Sequence, residues 1–519
     1  MHNRPALSSI RAFSAGFATA ILGLMLTACA GPALKKEIVR DPPTYAFPPA
    51  TEGVLHDLAQ KVTSEYGEEY SGFRLLDKSY DGLLARLALI DSAVSSIDIQ
   101  TYLWYPDHSG RLILERAIRA ALRGVHVRLI VDDLLTIGQD QFIYELNQNP
   151  NIELRLFNPW KNRGLLSRAG EMIGEMERLN TRMHDKLVVA DGNAAIVGGR
   201  NLGDHYFGLN SDYNFHDLDL LAFGEIAQQA EGMFDHFWNS EWVVSANNLE
   251  TSHDPEYVEK AWAELQEINR SSPEIAAFGV DARDWHETLM SLADDLRPGR
   301  SRLVWDETQE NTIAQNVAHE MFGFLNLAKK ELLITNAYII PGQPGIDFMQ
   351  TLSDRDVDVR ILTNSLASHD VPAVNSHYRP WRDDLINAGV ELFEFRSDAA
   401  IKGPIVEVPP VTGEFVGLHT KAVVVDREYV FIGSMNFDPR SAQINTEAGA
   451  FVYSPQLAQD LAKVMLRDMQ PENAWHVRLD KGGYPYWVNS DETVHEQPAR
   501  GTGQRIMDKI FRLFPKDQY

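Results

Sequence analysis

Beyond residue 52 the chain alternates between two hydrophobic periods. Apolar residues from Leu83 to Ile90 fall at helical spacing and predict a helix. Ile97, Ile99 and Thr101 then share one side of an alternating run, which predicts a strand over 94–102. A second helix over 112–123 is stopped by Gly124, and a strand over 125–131 ends at Asp132 and Asp133. Strand, helix, strand in this order is the βαβ unit of a largely parallel sheet. A further strand over 152–157 is closed by Asn158 and Pro159. The same order returns downstream: helices over 322–330, 346–353 and 380–388 alternate with strands over 331–338, 357–363 and 390–395.

Tyr102 and Tyr338 sit at matching places in the two series, 236 residues apart, which predicts an internal duplication. The halves fall at 52–255 and 296–470, with a polar, proline-bearing connector at 256–295 and an extension at 471–519. The start of the chain follows another pattern. Arg4 and Arg11, an apolar stretch from Phe13 to Ala28 and the box Leu26-Thr27-Ala28-Cys29 have the layout of a secretory leader. The box resembles a bacterial lipoprotein signal, in which cleavage precedes a cysteine that becomes lipid-modified. Residues 1–28 then form a signal peptide, Cys29 is the lipidation site, and 29–51, rich in proline, is a lipidated tether. A membrane-spanning helix is the alternative for the apolar run. Ala30 after the cysteine resembles an outer-membrane sorting signal, which implies an envelope protein with a periplasmic body.

Composition removes several function classes. Hydrophobic residues are 44% and charged residues 23%, as in ordinary globular proteins. Lysine and arginine number 48 against 73 acidic residues, a formal net charge of -25, which disfavours nucleic acid as a partner. The single cysteine excludes an internal disulfide framework and any multi-cysteine metal centre.

The candidate chemistry lies inside the repeat. One copy reads His184-Asp185-Lys186, then Asp191, then Gly198-Gly199-Arg200-Asn201. The other reads His419-Thr420-Lys421, then Asp426, then Gly433-Ser434-Met435-Asn436, each matched pair 235 residues apart. Histidine and lysine two apart on a strand share one side, and Asp191-Gly192 and Asp426-Arg427 turn the chain into a hairpin. Two imidazoles, two ammonium groups and two amides suit a phosphodiester. Lys186, Lys421, Asn201 and Asn436 can bind the non-bridging oxygens and stabilise transition-state charge. One histidine attacks phosphorus while the other protonates the leaving oxygen. The covalent phosphohistidine is then resolved by water or a second alcohol, with no metal or cofactor called for. Ser434 is a candidate donor to phosphate, with the Gly199 backbone N–H in its place in the first half; Asp191 and Asp426 fit a structural role.

These motifs resemble the phospholipase D superfamily, whose mark is His-x-Lys-x4-Asp followed by a glycine-rich turn and asparagine. The resemblance implies two α/β/α sandwich halves with mixed, largely parallel sheets, related by a pseudo-twofold axis, with the centre at the seam. It implies His184 as nucleophile and His419 as general acid and base, though the near symmetry leaves the two interchangeable. Each imidazole then wants a carboxylate on its other ring nitrogen. Asp217 and Glu447, each just before an apolar strand, resemble the orienting acids, with Asp219 as the alternative to Asp217.

The run Gln100-Thr101-Tyr102-Leu103-Trp104-Tyr105 and the tail from Glu496 resemble the bacterial cardiolipin synthase branch, especially its third type, and related phospholipase-D-like lipoproteins. That resemblance implies phosphatidyl transfer between phospholipids. Phospholipase D hydrolysis of phospholipids, or a secreted, metal-independent phosphodiesterase or nuclease, is the alternative. Phospholipids and a membrane surface are the expected partners, and no obligate protein partner is evident. Arg505, Lys509 and Arg512 alternate with Ile506, Met507, Ile510, Phe511 and Phe514 in a short amphipathic helix, which either lies on a bilayer or docks on the body. The amphipathic stretch 171–179 is placed to cover the site.

Overall fold

The computed structural model describes residues 33–511, apart from 137 and 311. The leader, Cys29, Arg512 and Phe514 lie outside the described residues. Two blocks of sheet repeat one order of eight strands, which Pro485–Val488 and Thr493–Val494 extend in the second block beyond Ala474–Leu479. The first runs Val243–Ser245, Ile152–Phe157, His126–Asp132, Ser96–Thr101, Leu187–Ala190, Ala194–Gly198, Asp219–Gly224, Ser71–Leu76. The second runs Ala474–Leu479, Glu391–Phe395, Asp358–Asn364, Glu331–Asn336, Lys421–Val425, Tyr429–Gly433, Ala448–Tyr453, Arg297–Trp305. Ser71–Leu76 pairs with Arg297–Trp305, so the two blocks join edge to edge.

The expectation of largely parallel sheets needs correcting. Among the described residues, parallel pairing within each block joins only the three strands built from βαβ units. The rest is antiparallel, because each motif hairpin and the strand that follows it return directly. Each central strand is covered on both faces: Ser96–Thr101 is buried along its whole length.

One core lies between the halves. Met233, Phe234 and Phe237 from the helix Glu225–Trp238 pack with Leu457, Leu461 and Met465 from the helix Pro455–Asp468, between the inner faces of both blocks. The second of these helices starts where Ser454 caps the Leu457 N–H and Pro455 takes the first helical position. Two further cores back the outer faces, one for each block.

The two segments read as linkers are ordered against the first half. Residues 33–51 run extended, with Leu34 bridging Leu249, the Val39 N–H on Asn248 and the Ala46 N–H on Asp235. Pro255, at the junction with the connector, and Pro273 within it begin helical turns instead of breaking structure. The helix Pro255–Ser271 packs on His108–Leu122 through Asn269 on Glu115, and Ile275, Phe278 and Trp285 are buried in the first-half core. The helix expected over 380–388 is Arg382–Asn387, preceded by a separate helix Pro372–Tyr378. Among the described residues no helix is long and apolar enough to cross a membrane.

Candidate active site

Each motif opens a hairpin whose turn is set by two residues at positive φ: Asp191 (57°) with Gly192 (65°), and Asp426 (50°) with Arg427 (56°). The Asp191 carboxylate accepts the N–H groups of Val94, Ser95 and Ser96; Asp426 accepts those of Lys329, Lys330 and Glu331. Both aspartates therefore clamp the start of a central strand, away from the imidazoles. At the opposite ends of these hairpins stand the histidines.

Strands from the two halves meet there in parallel. Tyr213–His216 pairs with Phe415–Leu418, which delivers Asp217 beside His419. Met183 bridges Thr446, and the His184 N–H donates to the Thr446 carbonyl, which delivers Glu447 beside His184. The acids are thus exchanged across the seam. His419 Nδ1 lies 2.6 Å from Asp217 Oδ2, and His184 Nδ1 lies 3.0 Å from Glu447 Oε2. With Nδ1 engaged, Nε2 is the remaining nitrogen of each ring. Lys186 Nζ donates to the His184 carbonyl and Lys421 Nζ to the His419 carbonyl. Tyr102 sets its edge on His184 and Tyr206 on His419, both with ring centroids 5.2 Å apart.

The electrostatics of the two sides differ. Burial, with the charges of Lys186, Lys421 and His419, pushes His184 well below the usual imidazole range. Burial and Lys421 lower His419 too, but Asp217 opposes them through its charge and hydrogen bond. Burial favours the neutral form of Asp217, yet His419, Lys421 and Arg200 hold it well below the ordinary carboxylate range. Burial lifts Glu447 to about 7, against Lys186 and Ser434. Hence His184 is the more readily neutral imidazole, and His419, beside a firmly ionised carboxylate, keeps its proton longer.

Burial also lowers Lys186 to about 7 and Lys421 to about 8. Raising the pH through these values discharges the groups that would hold an anionic phosphate. A pH profile of kcat/KM is therefore expected to fall on the alkaline side from about pH 7–8, with its acid limb below the ordinary imidazole range. Bound phosphate favours charged lysines, so the alkaline limb of kcat is expected at higher pH. A kcat/KM profile flat to pH 9 would remove the lysines from phosphate binding.

Several candidates sit differently from expectation. Ser434 turns its hydroxyl to Glu447 and accepts the Ala448 N–H, so it braces the acid instead of awaiting phosphate. Gly199 gives its N–H to the Leu218 carbonyl, and a Cβ there would collide with the Asp217 carboxylate. Its role is to admit that acid. Asn201 accepts the Leu103 N–H and donates to the Tyr206 hydroxyl at 2.8 Å. Asn436 keeps a buried carbonyl oxygen without a partner. Asp219 does not replace Asp217: it holds Arg86 and Arg200, both buried, at 2.8 and 3.0 Å.

Three residues near the site escaped the sequence reading. Tyr206 follows the first motif by a few residues, but nothing local marks its ring as a neighbour of His419. Arg440, just past the second motif, places its charge near His184 while donating to Asn180 at the end of Met176–Asn180. Asp370 accepts the Tyr338 hydroxyl at 2.8 Å; burial opposes its charge, but His369, His419 and Tyr338 hold it at about 2.

Comparison with known proteins gives a consistent result. The family model described as cardiolipin synthase, PLD-like domain, matches residues 87–238 and again 321–469. The chain is 33% identical to cardiolipin synthase C of Escherichia coli (strain K12) over 457 residues, 85% of this chain and 94% of that protein. It is 25% identical to a cardiolipin synthase of Staphylococcus aureus over 417 residues, 78% of this chain and 69% of that one. Among solved structures, the phosphatidylserine synthase of Haemophilus influenzae Rd KW20 shares the fold, with a TM-score of 0.55 at 14% identity over 88% of this chain and 98% of that one.

Proposed function

The chain belongs to the phospholipase D superfamily, with two cardiolipin synthase, PLD-like domains, and on that premise we propose that it transfers a phosphatidyl group between phospholipids through a phosphohistidine at His184. His184 Nε2 attacks the donor phosphorus. His419, kept protonated longer by ionised Asp217, gives its proton to the leaving alcohol oxygen. The acceptor hydroxyl then loses its proton to His419 as its oxygen attacks phosphorus, and the P–N bond breaks to free His184. Lys186 and Lys421 supply positive charge for the phosphate oxygens, and the side-chain N–H₂ of Asn436 is a further candidate donor to them. The observation that carries this reading is the exchange of orienting acids: neither histidine has its carboxylate without the other half.

The test is a lipid assay. Purified protein in vesicles containing phosphatidylglycerol is expected to yield cardiolipin and free glycerol, followed by mass spectrometry. Phosphatidic acid alone would instead make the protein a hydrolase. Unchanged lipids beside cleavage of a soluble phosphodiester would end the phosphatidyl reading.

We also place the body at a membrane through lipid on Cys29, with an outer-membrane site. The Leu26-Thr27-Ala28-Cys29 box supports this, as does the pinning of residues 33–51 along the first half, which would keep the body close to its anchor. Cys29→Ser is expected to abolish fatty-acid labelling and move the protein to the soluble fraction. Unchanged labelling would refute the assignment.

A further inference from the structure

Beside the phosphate site the first half contains a hollow of about 290 Å³. Leu129 and Leu156 wall it from the parallel strands, Leu114 from the helix His108–Leu122 and Phe142 from Asp140–Leu146. The connector helix Pro255–Ser271 closes it with Ala261 and Ile268. Leu114, Phe142 and Ile268 are only partly buried, although apolar. Protein interiors are normally close-packed, and apolar side chains facing an unfilled space forgo dispersion contacts that a guest would restore. The volume lies near the lower end of small-molecule pockets.

The hollow adjoins residues that carry the site. Asp132 is in its wall, and its carboxylate accepts the N–H of Met183 at 3.0 Å and the Arg182 guanidinium at 3.1 Å; Met183 precedes His184. Tyr102 lies against His184, and Trp104 and Tyr105, next along the same run, line the hollow. The Tyr105 N–H donates to the carbonyl of Leu202, the residue after Asn201. On the outer side Leu135, also in the wall, is exposed. Asp133, two residues before Leu135, accepts the Trp160 N–H, and the helix Leu165–Gly174 follows Trp160 in the chain. That helix carries Ile173, 85% exposed, and Met172, and Met176 follows it; both methionines are exposed as well. The hollow is mostly apolar, with Arg111, Asp132 and Glu264 among its wall residues; it has exposed Leu135 on one side and, through Asp132, the residue before His184 on the other.

We propose that this hollow takes one acyl chain of the phospholipid whose phosphate binds between His184 and His419, entering past Leu135 from a bilayer. The proposal rests on the phosphatidyl reading and adds how the lipid is held. The connector then acts as the roof of a lipid site.

The test needs no turnover. Wild-type protein is irradiated with vesicles of phosphatidylglycerol bearing a diazirine at the end of one acyl chain, and adducts are mapped by mass spectrometry. Adducts are expected on Leu114, Phe142, Ala261 and Ile268. Adducts confined to 172–176, or scattered over the surface, would overturn the proposal. In parallel, Ala261→Trp, which fills the hollow, is expected to lower kcat/KM about tenfold or more for dioleoyl phosphatidylglycerol, as for a chain kept partly in water. The loss should be clearly smaller for dihexanoyl phosphatidylglycerol, whose short chain buries less apolar surface. Equal rates for wild type and variant on the long-chain lipid would also overturn it. Adducts in the hollow from a protein that turns over no phospholipid would sink the transfer reaction and leave chain binding standing.

Discussion

Alanine in place of His184 is expected to lower turnover by about 10⁴-fold or more, and alanine in place of His419 by a similar factor on natural lipid. The double variant should be little worse than either single one, because each group acts only within the complete site. The two roles separate when the leaving group needs no proton. With a p-nitrophenyl phosphodiester, His419→Ala is expected to give a burst of nitrophenol and then stall as the phosphohistidine accumulates. His184→Ala should give no burst. The reason is the asymmetry of the acids: His184 is pushed well below the usual range and is the more readily neutral imidazole, as the proposed nucleophile must be, whereas His419 is tied to a carboxylate that stays ionised. The reverse pattern, a burst from His184→Ala and none from His419→Ala, would exchange the assignments. A single variant that retains strong activity would break the shared site altogether.

Asp217→Asn carries the second largest expected effect, a loss of about 10³- to 10⁴-fold, since an amide fixes the wrong tautomer and cannot support imidazolium. Its value lies in the coupling. Asp217 follows His184 in the same half, yet touches His419 of the other. In a double-mutant cycle Asp217→Asn should be nearly silent on a His419→Ala background. Glu447→Gln should likewise be nearly silent on a His184→Ala background, matching its 3.0 Å contact. Coupling of Asp217 to His184 and not to His419 would contradict the exchange across the seam. Measuring burst amplitude alongside rate distinguishes a misoriented imidazole from lost fold, because an unfolded fraction scales the burst without changing the rate per active site.

Much of the fold was readable from local pattern. The strand over 152–157 is Ile152–Phe157 itself, and Gly124 at φ 98° ends its helix as a glycine should. These features depend on a few consecutive residues, where periodicity and backbone preference act. The helix in the connector was not legible, because Pro255 signals a helix start as readily as a linker, and the Asp254 cap on Tyr257 decides which. Ser434 was misread for a related reason: a serine next to a phosphate motif suits the phosphate, and nothing nearby shows that Glu447 needs it first.

By itself, then, the sequence determined the duplicated α/β halves, the two hairpins and the set of polar groups they carry. These follow from hydrophobic period, turn chemistry and a repeat of fixed length, all of which are properties of neighbouring or equivalent positions. Tertiary structure decided which acid serves which histidine, that Gly199 and Ser434 serve the acids, and that the connector roofs a hollow. His419 and Asp217 are 202 positions apart, His184 and Glu447 263. Such contacts arise only when two folded sheets bury a common core and bring their strand ends together, and no local propensity encodes which ends will meet.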